Sequence, residues 1–445
     1  SVWLLACVLS WTAALQTVAF AALILTPLAL GRLMHVLGRD PRWCLLSMPL
    51  FFNHNLMYGW LSYCLGIPIY FMALAALIEA LDDVGARKRL GLWSCLLFLA
   101  HAQLAVSFAL ITFYLVLRPN PSTIIERIKR VALPLSAPVV LGLPWVIQRL
   151  LGTHNRGEVT QGAALIFHDP VTRLKRLPDF LTNCWNGSSD DWMGLATLGA
   201  VVLLSRLKTH TQSQGTEVNH RTASGLVLIT AALYFFAPWE VRWPTNQWAI
   251  YNRFAMLALI MTPLLIRAPF PELEARRRAL PAALLLLLWS VPVLVFAREN
   301  FRVYRDFNQR NAFVLEAVAK LEPNRRILPL VQDAGDPASH LGAADQFHAY
   351  YVIRHGGYDP YLFDNPSHPV VHRKATKPTV PPWNQPSRDA ARRALKSWAE
   401  APLGKDKPFT YVIEQRRGGP ARALGGNFKD PVRIGRWIIH QRNAP

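Results

Sequence analysis

The chain alternates long apolar runs with short polar segments that are rich in arginine and lysine. The runs at 131–150, 225–238 and 280–296 are long enough, or nearly so, to cross a hydrocarbon core of about 30 Å. Backbone polar groups in lipid must be satisfied within the segment, so these runs should be helices. The pattern predicts a polytopic α-helical membrane bundle of about 8–10 membrane segments, some of them short or broken.

Basic residues lie between these runs in five clusters, which are 32–42, 87–89, 118–130, 206–221 and 267–278. Positive charge concentrates on cytoplasmic loops, so we assign all five clusters to the cytoplasm. The chain must then go out and return between successive clusters. This predicts a short segment plus a longer helix within 43–80, turning near Asn53–Asn55, and two short helices within 90–118, turning near His101. Further crossings are predicted at 131–150, 192–206, 223–238, 251–266 and 279–297.

After residue 298 the pattern changes to one of alternating helices and strands. Amphipathic helical periodicity is seen at 307–323, a short strand at 325–331 and a helix at 340–357 that ends in two glycines. A proline-rich extended segment, a helix and two strands follow, at 365–386, 388–400, 409–415 and 433–442. We therefore expect a transmembrane domain at 1–297 and a small α/β extracytoplasmic domain at 298–445.

Composition narrows the class further. The formal net charge is +20, yet 52% of the residues are hydrophobic and only 17% are charged. A soluble protein of this charge would indicate nucleic acid, but in a multi-pass chain the excess suits anionic headgroups or an acidic glycan. We expect a bacterial inner-membrane protein that has membrane lipid as a partner and does not bind nucleic acid. The chain starts inside a hydrophobic run at Ser1, so we also expect a first helix and a first external loop to lie upstream.

Two polar clusters fall on the predicted outer face. Asn53, His54 and Asn55 interrupt an apolar stretch, and either they form the floor of a polar site or they are an interfacial turn beside an aromatic belt. Asp190 and Asp191 precede a predicted helix. Their carboxylates could bind a divalent cation such as Mg²⁺ or Mn²⁺ or activate a hydroxyl. Alternatively, they favour the helix N-terminus through its dipole.

Two more groups belong to the same face. Glu240, Arg242 and Arg253 lie in or beside a short loop with three tryptophans, and an arginine fork suits a phosphate group. The alternative is a surface ion pair between Glu240 and Arg242, with Arg253 reaching lipid headgroups. His101 and Gln103 lie where two short helices meet. His101 could serve as a base or bond a backbone carbonyl at the break, since broken helices tend to line cavities.

Several short motifs resemble membrane glycosyltransferases of the GT-C type, which use polyprenyl-phosphate sugars. They are Tyr58-Gly59, the Leu65–Pro68 stretch LGIP, the basic Arg87–Arg89 loop, His101 and the Phe301–Phe307 stretch that leads into the last domain. The resemblance implies many helices, an external catalytic face and a lipid-phosphate sugar donor. It also implies a catalytic Asp or Glu on the first external loop, which would lie upstream of Ser1.

The expected function is transfer of a sugar from a polyprenyl-phosphate carrier to an extracytoplasmic glycan or protein acceptor. Asp190, Asp191, His54 and His101 are the candidate catalytic residues, and the two aspartates are also the candidate metal ligands. Asn53, Asn55, Gln103, Glu240, Arg242 and Arg253 are the candidate substrate-binding residues. The alternative is a non-catalytic envelope protein that binds or presents lipid-linked glycan. A secondary transporter fits less well, because no inverted repeat or mid-membrane ionisable group is seen.

Overall fold

The computed structural model describes residues 7–57, 60–118, 123–151, 165–181, 188–206, 214–241, 247–267, 276–331, 349–356, 410–415 and 428–443. The chain forms two compact units, Ser1–Ala297 and Arg298–Pro445. Most of the described residues are helical, and a small sheet lies near the C-terminus.

The first unit consists mainly of helices. The described helices that begin in it are α1 Trp11–Val36, α2 His54–Met57, α3 Leu61–Asp82, α4 Arg87–Ala100, α5 Ala102–Leu117, α6 Ile124–Leu151, α7 Pro170–Leu181, α8 Ser189–Ser205, α9 Gln214–Phe236, α10 Asn252–Met261 and α11 Arg276–Asn311, and α11 ends in the second unit. Three-residue-per-turn (3-10) helices are found at Pro41–Phe51, Val84–Ala86 and Thr262–Leu265.

Three stretches of the described helices are long and apolar enough to cross a membrane, namely Ala13–Val36, Leu61–Asp82 and Ala283–Ala319. The apolar stretches Ala102–Leu117 and Asn252–Leu265 are shorter. The segments 131–150, 192–206 and 223–238 are largely helical, as α6, α8 and α9. They are not among these three stretches, so that they cross the membrane stays a prediction. Helix α11 does not end at 297 as predicted but runs on to Asn311.

The segment before α3 is broken, as the polar cluster in it predicts. Residues Pro41–Phe51 form a 3-10 helix, the chain turns at Asn53, and α3 begins at Leu61. The second predicted break also lies at His101. Its extended backbone (φ −163°, ψ 115°) separates α4 from α5.

Two loops that the sequence assigned to the same face pair with each other. Strand β1 (Leu165–Ile166) is antiparallel to β2 (Glu240–Val241), and β2 is antiparallel to β3 (Gln247–Trp248). The Trp239 amide donates to the Ile166 carbonyl at 2.7 Å, which extends this small sheet.

Basic residues meet at the C-terminal ends of α3 and α5. Glu79 near the end of α3 forms salt bridges with Arg32 and Arg89. Arg118, which follows α5, donates to the Thr222 hydroxyl of α9. Arg39 lies 3.2 Å from His220 Nδ1, measured from its Nη2. Four of the five basic clusters are therefore joined by side-chain contacts, directly or through one shared helix.

The second unit contains a four-stranded sheet in the order β4-β5-β7-β6. These strands are β4 Ile327–Val331, β5 Tyr411–Gln415, β6 Val432–Ile434 and β7 Trp437–Gln441. Strand β4 is parallel to β5, and the other pairs are antiparallel. Helices α12 (Phe313–Ala319) and α13 (Ala349–His355) contribute Val314, Val318 and Tyr351 to a core with Ile413 and Trp437.

One predicted strand of this unit is wrong in detail. Residues 433–442 form a hairpin of β6 and β7, because Gly435 has a φ of +58° that permits a tight turn. The predicted glycine end of the 340–357 helix is confirmed at Gly356, whose φ is +66°. The predicted proline-rich segment 365–386 and helix 388–400 lie outside the described residues.

Candidate functional site

Arg253 lies in the first turn of α10, and its guanidinium is packed among groups from α3 and α5. Its Nη1 donates to Gln103 Oε1 at 2.7 Å and lies 3.4 Å from His101 Nε2. Its Cζ lies 4.1 Å from the centroid of the Trp60 ring, within the range of a cation–π contact. We call Arg253, His101, Gln103 and Trp60 the Arg253 site.

Buried side chains hold this arrangement in place. The Tyr63 hydroxyl donates to the Arg253 carbonyl at 2.8 Å, and its ring meets the His101 ring edge-on at 5.1 Å between centroids. Gly66 makes the close approach of the His101 break possible. A Cβ at Gly66 would lie 2.7 Å from Leu104 Cδ1 and 3.4 Å from His101 Cβ.

The Arg253 site has an excess of hydrogen-bond donors and no counter-charge in the described part of the chain. No described carboxylate lies within 4.0 Å of the Arg253 guanidinium. Its Nε is buried without a hydrogen-bond partner there, as is Nδ1 of His101. A partly buried guanidinium left in this way would be stabilised by an anion.

Three helices begin at this point. Trp60, His101 and Tyr251 are the N-cap residues of α3, α5 and α10, and in none of them does the side chain cap the helix. The first N–H groups of a helix have no partner within it, and the helix dipole places partial positive charge there. Three such ends beside one guanidinium make a site suited to a negatively charged group.

An apolar cavity of about 1020 Å³ adjoins the site. It runs mainly between α5 and α6, and its lining includes Val106, Leu110, Phe113, Val139 and Leu143. Gln103, which accepts from Arg253, also lines the cavity. Gln103 therefore connects the Arg253 site to this apolar groove between α5 and α6.

A second cluster, not predicted from the sequence, supports α10 from the other side. Tyr251, fully buried at the start of α10, lies 2.9 Å from His168 Nδ1 and under the Arg173 guanidinium at 4.5 Å. His168 stacks on Trp239 at 5.0 Å between ring centroids. Burial and the nearby Arg176 and Arg173 lower the pKa of His168. In the sequence these aromatic and basic residues look like an ordinary interfacial belt.

The Asn-His-Asn cluster forms a turn, which was one of the two interpretations that the sequence left open. Asn53 Oδ1 accepts from the amides of Asn55 and Leu56, and its Nδ2 donates to the carbonyls of Leu50 and Phe51. Its amide is engaged within the turn, and the turn is buried. This favours the turn-forming role of Asn53, and its role in substrate binding stays a prediction.

Asn55 differs from Asn53. It is buried, and its Nδ2 has no hydrogen-bond partner among the described residues. Its carbonyl accepts from the Trp60 amide at 3.0 Å, which ties it to the Arg253 site. His54 begins the short helix α2, but its side chain lies outside what the structure describes.

Asp190 and Asp191 lie in the first turn of α8, and Asp190 is buried. Asp190 Oδ1 accepts from the Asp191 amide at 3.2 Å. This position agrees with the alternative that they favour the helix N-terminus. Within the described ranges no group of three or more His, Cys, Asp or Glu side chains could hold a metal ion. The role of Asp190 and Asp191 as metal ligands stays a prediction.

The remaining candidates lie in the loop before α10. Glu240 is half-buried in β2, where it pairs with Ile166 and with Trp248. Arg242 lies outside the described residues. Substrate binding by Glu240 and Arg242 stays a prediction, and so does the alternative of an ion pair between them.

Comparison with known proteins gives no relative to guide the assignment. No family model matches the chain, and neither a curated protein nor a solved structure resembles it significantly.

Proposed function

We propose that the chain is a membrane protein that binds a polyprenyl-phosphate-linked sugar at the Arg253 site and transfers the sugar to an extracytoplasmic acceptor. The observation that carries the proposal is the Arg253 guanidinium, which no described carboxylate opposes and beside which three helices begin. The GT-C resemblance supplies the reaction class, and the site supplies the phosphate recognition.

The neighbouring cavity supports a lipid as the carrier of the phosphate. Gln103 contacts Arg253 and lines the apolar groove between α5 and α6. A phosphate at Arg253 would place an attached isoprenoid chain at the mouth of this groove, where its methylene and methyl groups meet apolar side chains. Such a chain loses nothing there, because the groove is about as apolar as the lipid tails that it leaves.

In the transfer, an acceptor hydroxyl oxygen attacks the anomeric carbon, and the bond from that carbon to the phosphate oxygen breaks. The polyprenyl phosphate leaves with the electron pair, so negative charge grows on its phosphate. Arg253 and the helix N-termini would stabilise that charge where it develops. The hydroxyl proton must go to a base, for which the candidates from the sequence are His54, His101, Asp190 and Asp191.

Binding of polyprenyl phosphate to the full chain in lipid nanodiscs tests the recognition step. Arg253→Ala removes a charged donor, whose contribution is about 1.5–3 kcal/mol, so the affinity should fall roughly 10- to 100-fold. Arg302→Ala serves as the control, because Arg302 is an exposed arginine paired with Glu299 on α11. It should bind as the unmodified chain does.

Polyprenol without phosphate should not distinguish Arg253→Ala from the unmodified chain. Arg253→Gln keeps most of the side-chain volume and shows whether any loss comes from charge rather than packing. If Arg253→Ala binds polyprenyl phosphate normally while its thermal unfolding is unchanged, the site has been misassigned.

Turnover separates the enzyme from the alternative. With a labelled polyprenyl-phosphate sugar, the enzyme should release polyprenyl phosphate and transfer label to an acceptor. Arg253-dependent binding without turnover would instead favour a protein that binds or presents lipid-linked glycan.

A further inference from the structure

Helix α7 (Pro170–Leu181) is a short amphipathic helix between two longer helices, and it has a well-defined start. Asp169 caps it, because its Oδ1 accepts from the Thr172 amide at 2.9 Å and its Oδ2 from the Thr172 hydroxyl at 2.5 Å. These hydrogen bonds lower the pKa of Asp169. At about 1.5 Å per residue, the helix is roughly 18 Å long, too short to cross a membrane.

One face of α7 is fixed to the rest of the first unit. Arg173 is buried, and it donates to the His168 carbonyl at 2.9 Å and the Tyr234 carbonyl at 3.0 Å. Phe180 is also buried, and its ring meets the Tyr251 ring edge-on at 5.8 Å between centroids. The orientation of α7 is therefore set by this polar and aromatic anchor.

The opposite face presents apolar side chains away from the protein. Val171 and Leu174 are each 61% exposed, and Pro178 is exposed as well. Their spacing of i, i+3 and i+7 places them on one stripe of a helix. Phe167, just before the helix, is 54% exposed. Large apolar groups are rarely left exposed in a line unless something covers them.

Two features of the surroundings favour a lipid surface as the cover of this stripe. Lys175 and Arg176 are exposed on the same helix, where they can reach lipid phosphates. Helix α7 also contacts α8, whose first turns expose Trp192 and Leu195 at 63% and 60%. Tryptophan is typical of the level at which a membrane helix meets the headgroups.

We propose that α7 lies in the plane of the lipid–water interface. Val171, Leu174 and Pro178 enter the outer edge of the acyl chains, and Lys175 and Arg176 meet headgroup phosphates. Its buried face carries Arg173 against Tyr251, which begins the helix that bears Arg253. The bilayer surface thereby becomes one wall of the support for α10. This inference does not depend on the identity of the ligand at the Arg253 site.

Fluorescence quenching in nanodiscs made of a zwitterionic and an anionic phospholipid tests the proposal. The five native cysteines are first replaced in the full chain, and a small fluorophore is attached to Leu174→Cys or, as the matched control, Asp179→Cys. Both side chains are exposed on α7, but Asp179 lies off the apolar stripe. Lipids with a nitroxide on the acyl chain should quench the label at 174 at least twofold more than the label at 179, and aqueous iodide should show the reverse order.

Equal access of iodide to both labels would place α7 in water and overturn the proposal. Protection of the label at 174 from both quenchers would also overturn it, because protein rather than lipid would then cover the stripe. Thermal unfolding of each labelled chain confirms that the exposed substitutions leave the fold intact, so a negative result cannot be ascribed to misfolding.

Discussion

Among single residues, Gln103 decides how much of the positive charge of Arg253 is available to a ligand. A neutral amide satisfies one N–H of the guanidinium without cancelling its charge. A carboxylate in the same place would form a partly buried ion pair and compete with any phosphate.

We therefore expect Gln103→Glu to weaken polyprenyl-phosphate binding roughly tenfold or more, since even a modest ion pair is worth about 1.4 kcal/mol when desolvated. Gln103→Met, which keeps the length but removes the acceptor, should have a smaller effect. Binding isotherms of both variants in nanodiscs provide the comparison. Equal losses would mean that Gln103 acts by shape rather than through charge.

In the second unit, the buried Tyr351 stabilises the fold through its hydroxyl group. It is fully buried, and its hydroxyl accepts from the Arg325 amide at 2.8 Å and donates to the Glu322 carbonyl at 2.9 Å. Tyr351→Phe should cost about 1–3 kcal/mol of unfolding free energy at pH 8, because two backbone groups lose their partner. Urea unfolding of the full chain, followed by circular dichroism, measures this cost.

Burial of Tyr351 also makes the stability of the second unit depend on pH, because it raises the pKa of this tyrosine. The folded state keeps its proton while the unfolded tyrosine loses it above pH of about 10. The contribution of Tyr351 to stability is thus fully present below that pH and is lost as the pH rises. Tyr351→Phe should make the loss of stability with pH less steep. An unchanged slope between pH 8 and pH 11 would assign the titration elsewhere, for instance to Tyr411, whose pKa burial also raises.

Sequence reasoning found the polar residues of the Arg253 site but could not pair them. His101, Gln103 and Arg253 stand out because polar side chains interrupt apolar runs. Their contacts join residues about 150 positions apart, and hydrophobic periodicity carries no information on how distant helices pack. For Asn53 the sequence left two roles open, because a turn-forming amide and a substrate-binding amide look alike in a sequence.

Between elements, close packing sets where helices can approach. Helix α9 meets α5 at Gly225, where an added Cβ would lie 2.6 Å from Cε1 of Tyr114. By contrast, nothing in the described structure lies within 4 Å of a Cβ built at Gly199 of α8. Substitution of each glycine by alanine therefore distinguishes a clash with a neighbouring helix from the effect of alanine on the helix backbone alone.

Gly225→Ala should lower stability by about 1–3 kcal/mol through overpacking against the tyrosine ring. Gly199→Ala should be neutral or stabilising by up to about 1 kcal/mol, since alanine favours the helix. Thermal unfolding in one detergent compares them directly. A loss of the same size in both would show that α5 and α9 do not pack as described.

The broken elements were predictable where a chemical interruption marks them. His101 and the Asn53–Asn55 turn were both located, because charge clusters on each side forced the chain to reverse. The β6–β7 hairpin was missed, since Gly435 stands within a run that otherwise reads as one strand. The pairing of β1 with β2 could not be derived either, because strands of two residues leave no periodic signal.

In the molecule as a whole, α3 and α5 define two chemically distinct ends of the first unit. Both begin at the Arg253 site. Glu79 in the last turn of α3 and Arg118 just after α5 mark their other ends, where basic residues meet. With 22 residues, α3 is about 33 Å long, close to the thickness of a hydrocarbon core. The basic residues around Glu79 and Arg118 therefore lie about one membrane thickness from the Arg253 site.

This separation gives the orientation a direct test. If the basic end faces the cytoplasm, a membrane-impermeant maleimide added to intact cells should label Asp179→Cys on α7 but not Lys88→Cys, in a chain whose native cysteines are replaced. The Lys88→Cys chain should be labelled only after the membrane is made permeable. External labelling of Lys88→Cys, with protection of Asp179→Cys, would mean that the topology is inverted. The Arg253 site would then open to the cytoplasm, and transfer to an extracytoplasmic acceptor would be impossible from that site.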